Sequence, residues 1–182
     1  MRQSVASRIL ADTIGVDVHI KLHIASPAQA AAIAALRMTV AENLTARYGV
    51  GPWSSAGTEK GVRFDMRNST VYAATHRNKL IASLRLDTKK PWAIDRKYFS
   101  ACQKPLYLLS MAVHPDLQRQ GIGRLCIEET KRIVKAWPGD AIRLDAYDAA
   151  AGAGEFYAKC GFREVGRATY RHVPLIYFEL RL

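Results

Sequence analysis

The segment Gln118-Arg119-Gln120-Gly121-Ile122-Gly123-Arg124 follows an almost uniformly apolar run and opens an amphipathic helix, and its residue types suit the binding of an anion. The first four N–H groups of a helix have no intrahelical partner, and the helix dipole places about half a positive charge at that end, so a phosphate is stabilised by geometry already present. Gly121 and Gly123 let the backbone approach a ligand with no Cβ in the way, while Arg119 and Arg124 add mobile positive charge. The spacing fits a pyrophosphate. An ordinary glycine turn capping a helix is the competing reading, which G-x-G alone would favour. The segment has no G-K-[S/T], and as a dinucleotide fingerprint it would lack the third glycine and its place in a first βαβ unit.

Other chemistry-bearing residues are dispersed. Cys102, Cys126 and Cys160 cannot all pair with one another and show no C-x-x-C spacing, and the histidines form no H-E-x-x-H or carboxylate-rich group, so neither a disulfide framework nor a metal is expected. Cys126 and Cys160 read as small packing residues, and His114 as a residue that sets the loop before Pro115.

The chain that must position these groups has 182 residues, 49% of them hydrophobic and 24% charged, which excludes a disordered or low-complexity protein. Its net charge of +11 is concentrated in residues 61–120, where the stretch from Arg77 to Lys104 sets eight Lys/Arg against Asp87 and Asp95. An anionic partner and a plain solvated surface explain that charge equally well. No apolar run approaches the roughly 18 residues of a membrane span, and MRQSVASRILADTIG lacks the apolar centre of a secretory signal. The expectation is a cytoplasmic protein with no membrane contact.

Residues 1–18 read as a loosely attached arm, and residues 19–182 as one domain without repeats or linkers. His19 to Ile24 alternates polar with apolar, as a half-buried strand does. Ser26 and Pro27 open a helix carried by Ile33, Leu36, Val40 and Leu44 to about Tyr48, and a short helix is expected over Lys60 to Met66. Val71–Ala74 and Leu80–Leu86 predict a hairpin, and Leu106–Val113 a central strand covered on both faces. A helix from Gly121 to Trp137, a strand over Ala141–Tyr147, a short helix over Ala153–Cys160 and a closing strand pair complete an α/β mixed sheet with helices on both faces.

Gln118-Arg119-Gln120-Gly121-Ile122-Gly123 resembles the (Q/R)-x-x-G-x-(G/A) acyl-CoA motif of the GNAT superfamily of N-acyltransferases, and Val113-His114-Pro115 sits where that family's fourth strand ends. Phe156-Tyr157-Ala158-Lys159-Cys160-Gly161-Phe162 resembles the F-Y-x-K-x-G-F segment that follows the family's fifth strand. Two motifs in the right order, about 35 residues apart with a strand between, are more specific than either alone, and the order of elements matches from about His19 to Leu182. The resemblance implies the GNAT fold, in which the fourth and fifth strands splay apart and the pantetheine arm of acetyl-CoA lies in the gap. By that likeness the backbone of Met111, Ala112 and Val113 would bind the arm, and Gln118, Arg119, Gln120, Gly121, Ile122, Gly123 and Arg124 the pyrophosphate. No metal is needed.

The implied reaction is transfer of an acetyl group from acetyl-CoA to a primary amine. An alkylamine of pKa ~10 is mostly protonated at pH 7 and must lose a proton, and the leaving thiolate must regain one. Tyr157, which also contacts the cofactor in this reading, is the candidate general acid; a packed aromatic is the bland alternative. Many family members place a Glu on the fourth strand, where this chain offers only Ser110. Asp145 and Asp148 are the nearest candidate bases, although either could instead cap the next helix or pair with Arg143, and the family's frequent Asn after the fifth strand is replaced by Asp148-Ala149-Ala150. The acceptor would enter over the loops at 49–60 and 87–105, where Trp53 and Trp92 either wall its pocket or cover the core. A small molecule or a macromolecule could serve as acceptor, and a homodimer is left open. The alternative from another class is a non-catalytic CoA sensor or a nucleic-acid-binding module on the same fold, although no nucleic-acid motif supports the latter.

Overall fold

A computed structural model describes residues 20–55 and 57–182, so the arm at 1–18 and His19 lie outside the described residues. The elements run β1 (His23–Ile24), α1 (Ala30–Tyr48), α2 (Glu59–Asn68), β2 (Thr70–His76), β3 (Lys79–Asp87), β4 (Pro105–Val113), α3 (Ile122–Ala136), β5 (Ala141–Tyr147), α4 (Gly154–Lys159), β6 (Arg163–Tyr170) and β7 (Val173–Arg181). The strands form one seven-stranded sheet in the order β1-β2-β3-β4-β5-β7-β6. Among the described strands only β4 and β5 are parallel; every other neighbouring pair is antiparallel.

Alternation along the strands sorts side chains into two layers. On one face Leu84, Leu108, Leu144 and Phe178 meet Ile127 and Val134 of α3 and Tyr157 of α4. On the other, Val71 and Ala73 of β2 meet Ile33 of α1 and Val62 of α2. Among the described residues no α-helix joins the cluster above β5 and β7 on this second face; Ile94, Tyr98 and Phe99 from the connection between β3 and β4, which makes a single 3-10 turn over Arg96–Tyr98, pack there on Tyr107 and Tyr177. The basic segment therefore has a structural task in part: its apolar residues roof the sheet.

Local chemistry accounts for the boundaries. Arg77 and Asn78 both take left-handed φ in the two-residue turn between β2 and β3, the geometry that matches hairpin twist and that Asn tolerates well. Thr58 Oγ1 accepts the Gly61 N–H at 3.1 Å and starts α2. The helix expected from Pro27 begins instead as a tight turn over Pro27–Gln29, with the Gln29 side chain accepting the Ser26 N–H at 3.0 Å, and becomes α-helical at Ala30. The first strand is also shorter than its alternation implies. Ile20 and Leu22 are buried but unpaired, because alternation records which residues face the core rather than which backbone groups find a ladder. No described helix is long and apolar enough to cross a membrane.

Candidate active site

The parallel pairing of β4 with β5 covers only Pro105, Leu106 and Tyr107 against Ala141, Ile142 and Arg143. Beyond it β5 stays paired with β7 as far as Tyr147, and β4 stays paired with β3 as far as Val113, so the two central strands diverge. A bulge sharpens the divergence. Ser83 pairs with Ala112 but Arg85 with Leu109, which sets Ser110 and Met111 together against Leu84, and Ser110 takes a left-handed φ of 50°. The β5-facing edge of β4 past Tyr107 thus offers backbone groups that no neighbouring strand takes up. An extended ligand arm can pair there as another strand would.

At the end of this edge the chain turns through Pro115–Leu117 into the glycine loop. The His114 N–H donates to Ile81 O at 2.9 Å, and its Nδ1 accepts the Asp116 N–H, so His114 sets the loop. Gln118 Nε2 donates to Val113 O at 3.0 Å and Gln120 Nε2 to Asp116 O at 2.8 Å. Both glutamine side chains brace the turn. Arg119 and Gly121 have φ of 61° and 82°, a left-handed conformation that glycine adopts without strain at the second position. The first helical N–H bonded back into the loop is that of Leu125, to Gly121 O at 3.0 Å, leaving those of Ile122, Gly123 and Arg124 without a backbone partner. A Cβ on Gly123 would lie 3.0 Å from the Phe156 ring, so glycine there lets α3 approach α4. These features fit the diphosphate of a coenzyme: free donors, positive dipole and exposed arginines converge on one end of a 15-residue helix.

Tyr157 lies on the α3 side of the sheet, wedged edge-on between Phe156 and Phe162, with Phe178 at 6.0 Å. Burial, with Asp145 and Cys160 adding to it, pushes its phenol well up, and its hydroxyl makes no hydrogen bond to another described residue. Asp145 has no ion pair among the described residues, and burial raises its carboxyl, opposed only by its own backbone. Pairing with Arg143 is overturned: that guanidinium bonds Glu179 at 2.9 Å in a pair whose side chains are 5% and 1% exposed. Asp148 is committed differently. Its carboxylate holds Arg167 at 2.7 Å and its N–H bonds Pro174 O, while α4 begins after Ala153 with no side-chain cap.

On the opposite side of the divergence a cavity of about 700 Å³ is floored by Ser110, Met111, Ala112 and Tyr147 and walled by α1, α2 and the loop between them. Val40, Leu44, Trp53 and Phe64 make it largely apolar, and Trp53 meets Tyr147 edge-on at 5.9 Å. At one end Asp65 binds two arginines, Arg37 at 3.0 Å and Arg85 through its other oxygen. Among the described residues, no group of His, Cys, Asp and Glu is arranged to hold a metal.

Residues 67–164 match the family model described as an acetyltransferase (GNAT) domain. The chain belongs to the GNAT acetyltransferase family. Solved structures share the fold at low identity. A GNAT acetyltransferase from Listeria monocytogenes superposes with a TM-score of 0.69 at 17% identity, covering 90% of this chain and 96% of its own. The ribosomal-protein-S18-alanine N-acetyltransferase of Escherichia coli gives 0.66 at 16% identity over 90% and 94%. The protein yncA of Salmonella typhimurium, solved with its cofactor acetyl-CoA, gives 0.62 at 14% over 90% and 94%. No curated protein matches the sequence.

In this GNAT chain the expected cofactor residues Met111 to Val113 and Gln118 to Arg124 do fall along one continuous edge and turn. Of the expected acceptor loops, 49–60 walls the cavity, whereas the connection at 87–105 contributes nothing to it and roofs β5 and β7 instead. Trp53 is a cavity residue; Trp92 is 89% exposed and covers nothing. Cys126 is fully buried, with its thiol pushed up to about 12 by burial, which suits packing and not nucleophilic chemistry. Arg37, Asp65, Arg85 and Tyr147 were not singled out by sequence. One signal was present: Arg37 sits four residues from both Ile33 and Ala41, on the apolar stripe of α1.

Proposed function

We propose that this GNAT chain moves an acetyl group from acetyl-CoA to a primary amine by direct attack within a ternary complex. The observation that carries the reading is the divergence of β4 from β5 past Tyr107 and Arg143, with a helix N-terminus at its mouth and a cavity behind it. The N–H groups of Ile122, Gly123 and Arg124 hold the diphosphate, assisted by Arg119 and Arg124, and the free edge of Met111 to Val113 aligns the pantetheine arm. Gln118 and Gln120 act by bracing that turn.

In this reading the two proton tasks fall to residues on opposite faces of the sheet. Tyr157 approaches from the α3 side, and Asp145, which does not itself line the cavity, shares the other face of β5 with Tyr147, which does. The amine nitrogen bonds the acetyl carbon as the carbon–sulfur bond breaks; Asp145 accepts the proton lost by nitrogen, and Tyr157 donates the proton gained by sulfur. Burial makes Asp145 a stronger base than a solvated carboxylate; it also holds the Tyr157 phenol in its protonated form and makes it a weaker acid than a solvated phenol, so its donation to sulfur is driven by the basicity of the departing thiolate beside it. Asp148, tied to Arg167, is left to hold the end of β5.

Release of free CoA thiol on mixing with acetyl-CoA and a panel of amines tests the reading. Amine-dependent release is expected. Tight acetyl-CoA binding with no release on any amine would instead favour the sensor alternative.

A further inference from the structure

The cavity beside the β4 bulge holds a charge that its own residues do not balance. Asp65 is shared by Arg37 and Arg85, one guanidinium on each carboxylate oxygen, so two fixed positive charges face one negative charge. Arg37 is also under-used as a donor. Its Nη1 bonds Asp65, but Nε and Nη2 are buried and without a partner, as is Nε of Arg85. Lys60 lines the same cavity and adds a third cation, whereas the nearby Glu59 is committed to Arg63 at 2.7 Å and does not line it.

Resting on the acetyl-transfer reading above, we infer that the acceptor is a small amine bearing a carboxylate, whose anion is received by Arg37 at the α1 end of the cavity while its amine meets the acetyl group at the Ser110 and Tyr147 end. Arg37 offers two adjacent unused N–H donors, and the planar fork of a guanidinium matches the two oxygens of a carboxylate. These donors are already out of water, so an anion that takes them displaces no hydration from the protein side. Arg37 itself lines the cavity, and Gly57 lies against its other edge, with a Cβ position 3.5 Å from Nη1 and 3.9 Å from Cδ, so the fork of Nε and Nη2 is not the edge that this loop covers. Between the two ends Val40, Leu44, Trp53 and Phe64 supply apolar contact, which favours an amine with a hydrophobic or aromatic side chain. The volume of about 700 Å³ suits a single small molecule.

The experiment compares matched acceptors in the full chain with acetyl-CoA: phenylalanine against phenethylamine, leucine against isoamylamine, and an aminoalkyl phosphonate of similar length. The carboxylate member of each pair is expected to show kcat/KM about 10- to 100-fold higher, and Arg37→Met and Arg37→Lys are each expected to bring that ratio towards unity, since lysine keeps the charge but lacks the fork. Equal kcat/KM within each pair, or a ratio that survives both substitutions, overturns the inference; a preference for the phosphonate overturns the carboxylate assignment. Calorimetric titration of the same compounds into the acetyl-CoA complex separates this inference from the transfer reading. Selective binding of the carboxylate member supports the pocket even if nothing turns over, and equal binding of both members, or of neither, refutes it.

Discussion

Tyr107 on β4 and Arg143 on β5 form the last pair in the parallel ladder, and the side chain of Arg143 is locked to Glu179 on β7 in a buried ion pair. The divergence that makes the site thus starts from a rigid node. Arg143 also donates to Ser100 O and lies under the Phe99 ring at 4.9 Å, which ties the roof over β5 and β7 to the same point.

Removing one partner from this node leaves the other charge buried and unpaired. Glu179→Ala is expected to cost about 3–5 kcal/mol, read as a shift in the denaturant midpoint at unchanged slope. The double change Arg143→Met with Glu179→Leu is expected to recover most of that loss. A single variant within about 0.5 kcal/mol of the parent would show that the pair holds nothing together.

Tyr157→Phe deletes a hydroxyl that bonds no other described residue and keeps the ring that Phe156, Phe162 and Phe178 enclose. Stability should change by less than about 1 kcal/mol and acetyl-CoA affinity should hold, while kcat falls about 100-fold. Turnover equal to the parent's would reduce Tyr157 to a packing residue.

Asp145 yields a pair of effects with opposite signs. Its folded carboxyl is raised by burial, so between the ordinary carboxylate value and the folded one the native state binds more protons than the unfolded. Stability therefore falls as pH climbs through that window and stays lower above it. Asp145→Asn should be more stable than the parent at pH 7, with the advantage shrinking as pH falls through that window and gone below about pH 4. The same variant should lose about 100-fold or more in kcat/KM, together with the acid limb of the pH profile. Thermal melts at pH 3.5 and 7, set beside the rate profile, check both signs, and a variant less stable at pH 7 would contradict the burial argument.

The glycine turn predicts a loss confined to binding. Gly121→Val places a β-branched residue at a φ of 82° and should weaken acetyl-CoA at least ~10-fold by distorting the turn. Arg119→Ala and Arg124→Ala should weaken it less and flatten its dependence on salt, because both side chains are exposed and act through screened charge. Affinity untouched by all three would remove the cradle from the account.

The sequence spoke clearly where one local rule acts alone. β5 at Ala141–Tyr147 and the helix opened by Gly121 follow from apolar period and from glycine, and both motif segments landed beside the divergence they were expected to serve. Asp148 and the segment at 87–105 went the other way because their partners are distant. Nothing near Asp148 in sequence marks Arg167 as its counter-ion, and nothing near Phe99 marks Tyr177 as its floor. The Arg37–Asp65–Arg85 group was hidden for the same reason, since it draws on α1, α2 and β3 and exists only once the three are packed.

A crystal structure of the chain with CoA bears most directly on the central claim. The account predicts the pantetheine arm along Met111, Ala112 and Val113 in the gap facing β5, with the diphosphate on the N–H groups of Ile122, Gly123 and Arg124. CoA bound elsewhere, or a gap closed by β4 pairing with β5 through to Val113 and Tyr147, would contradict it.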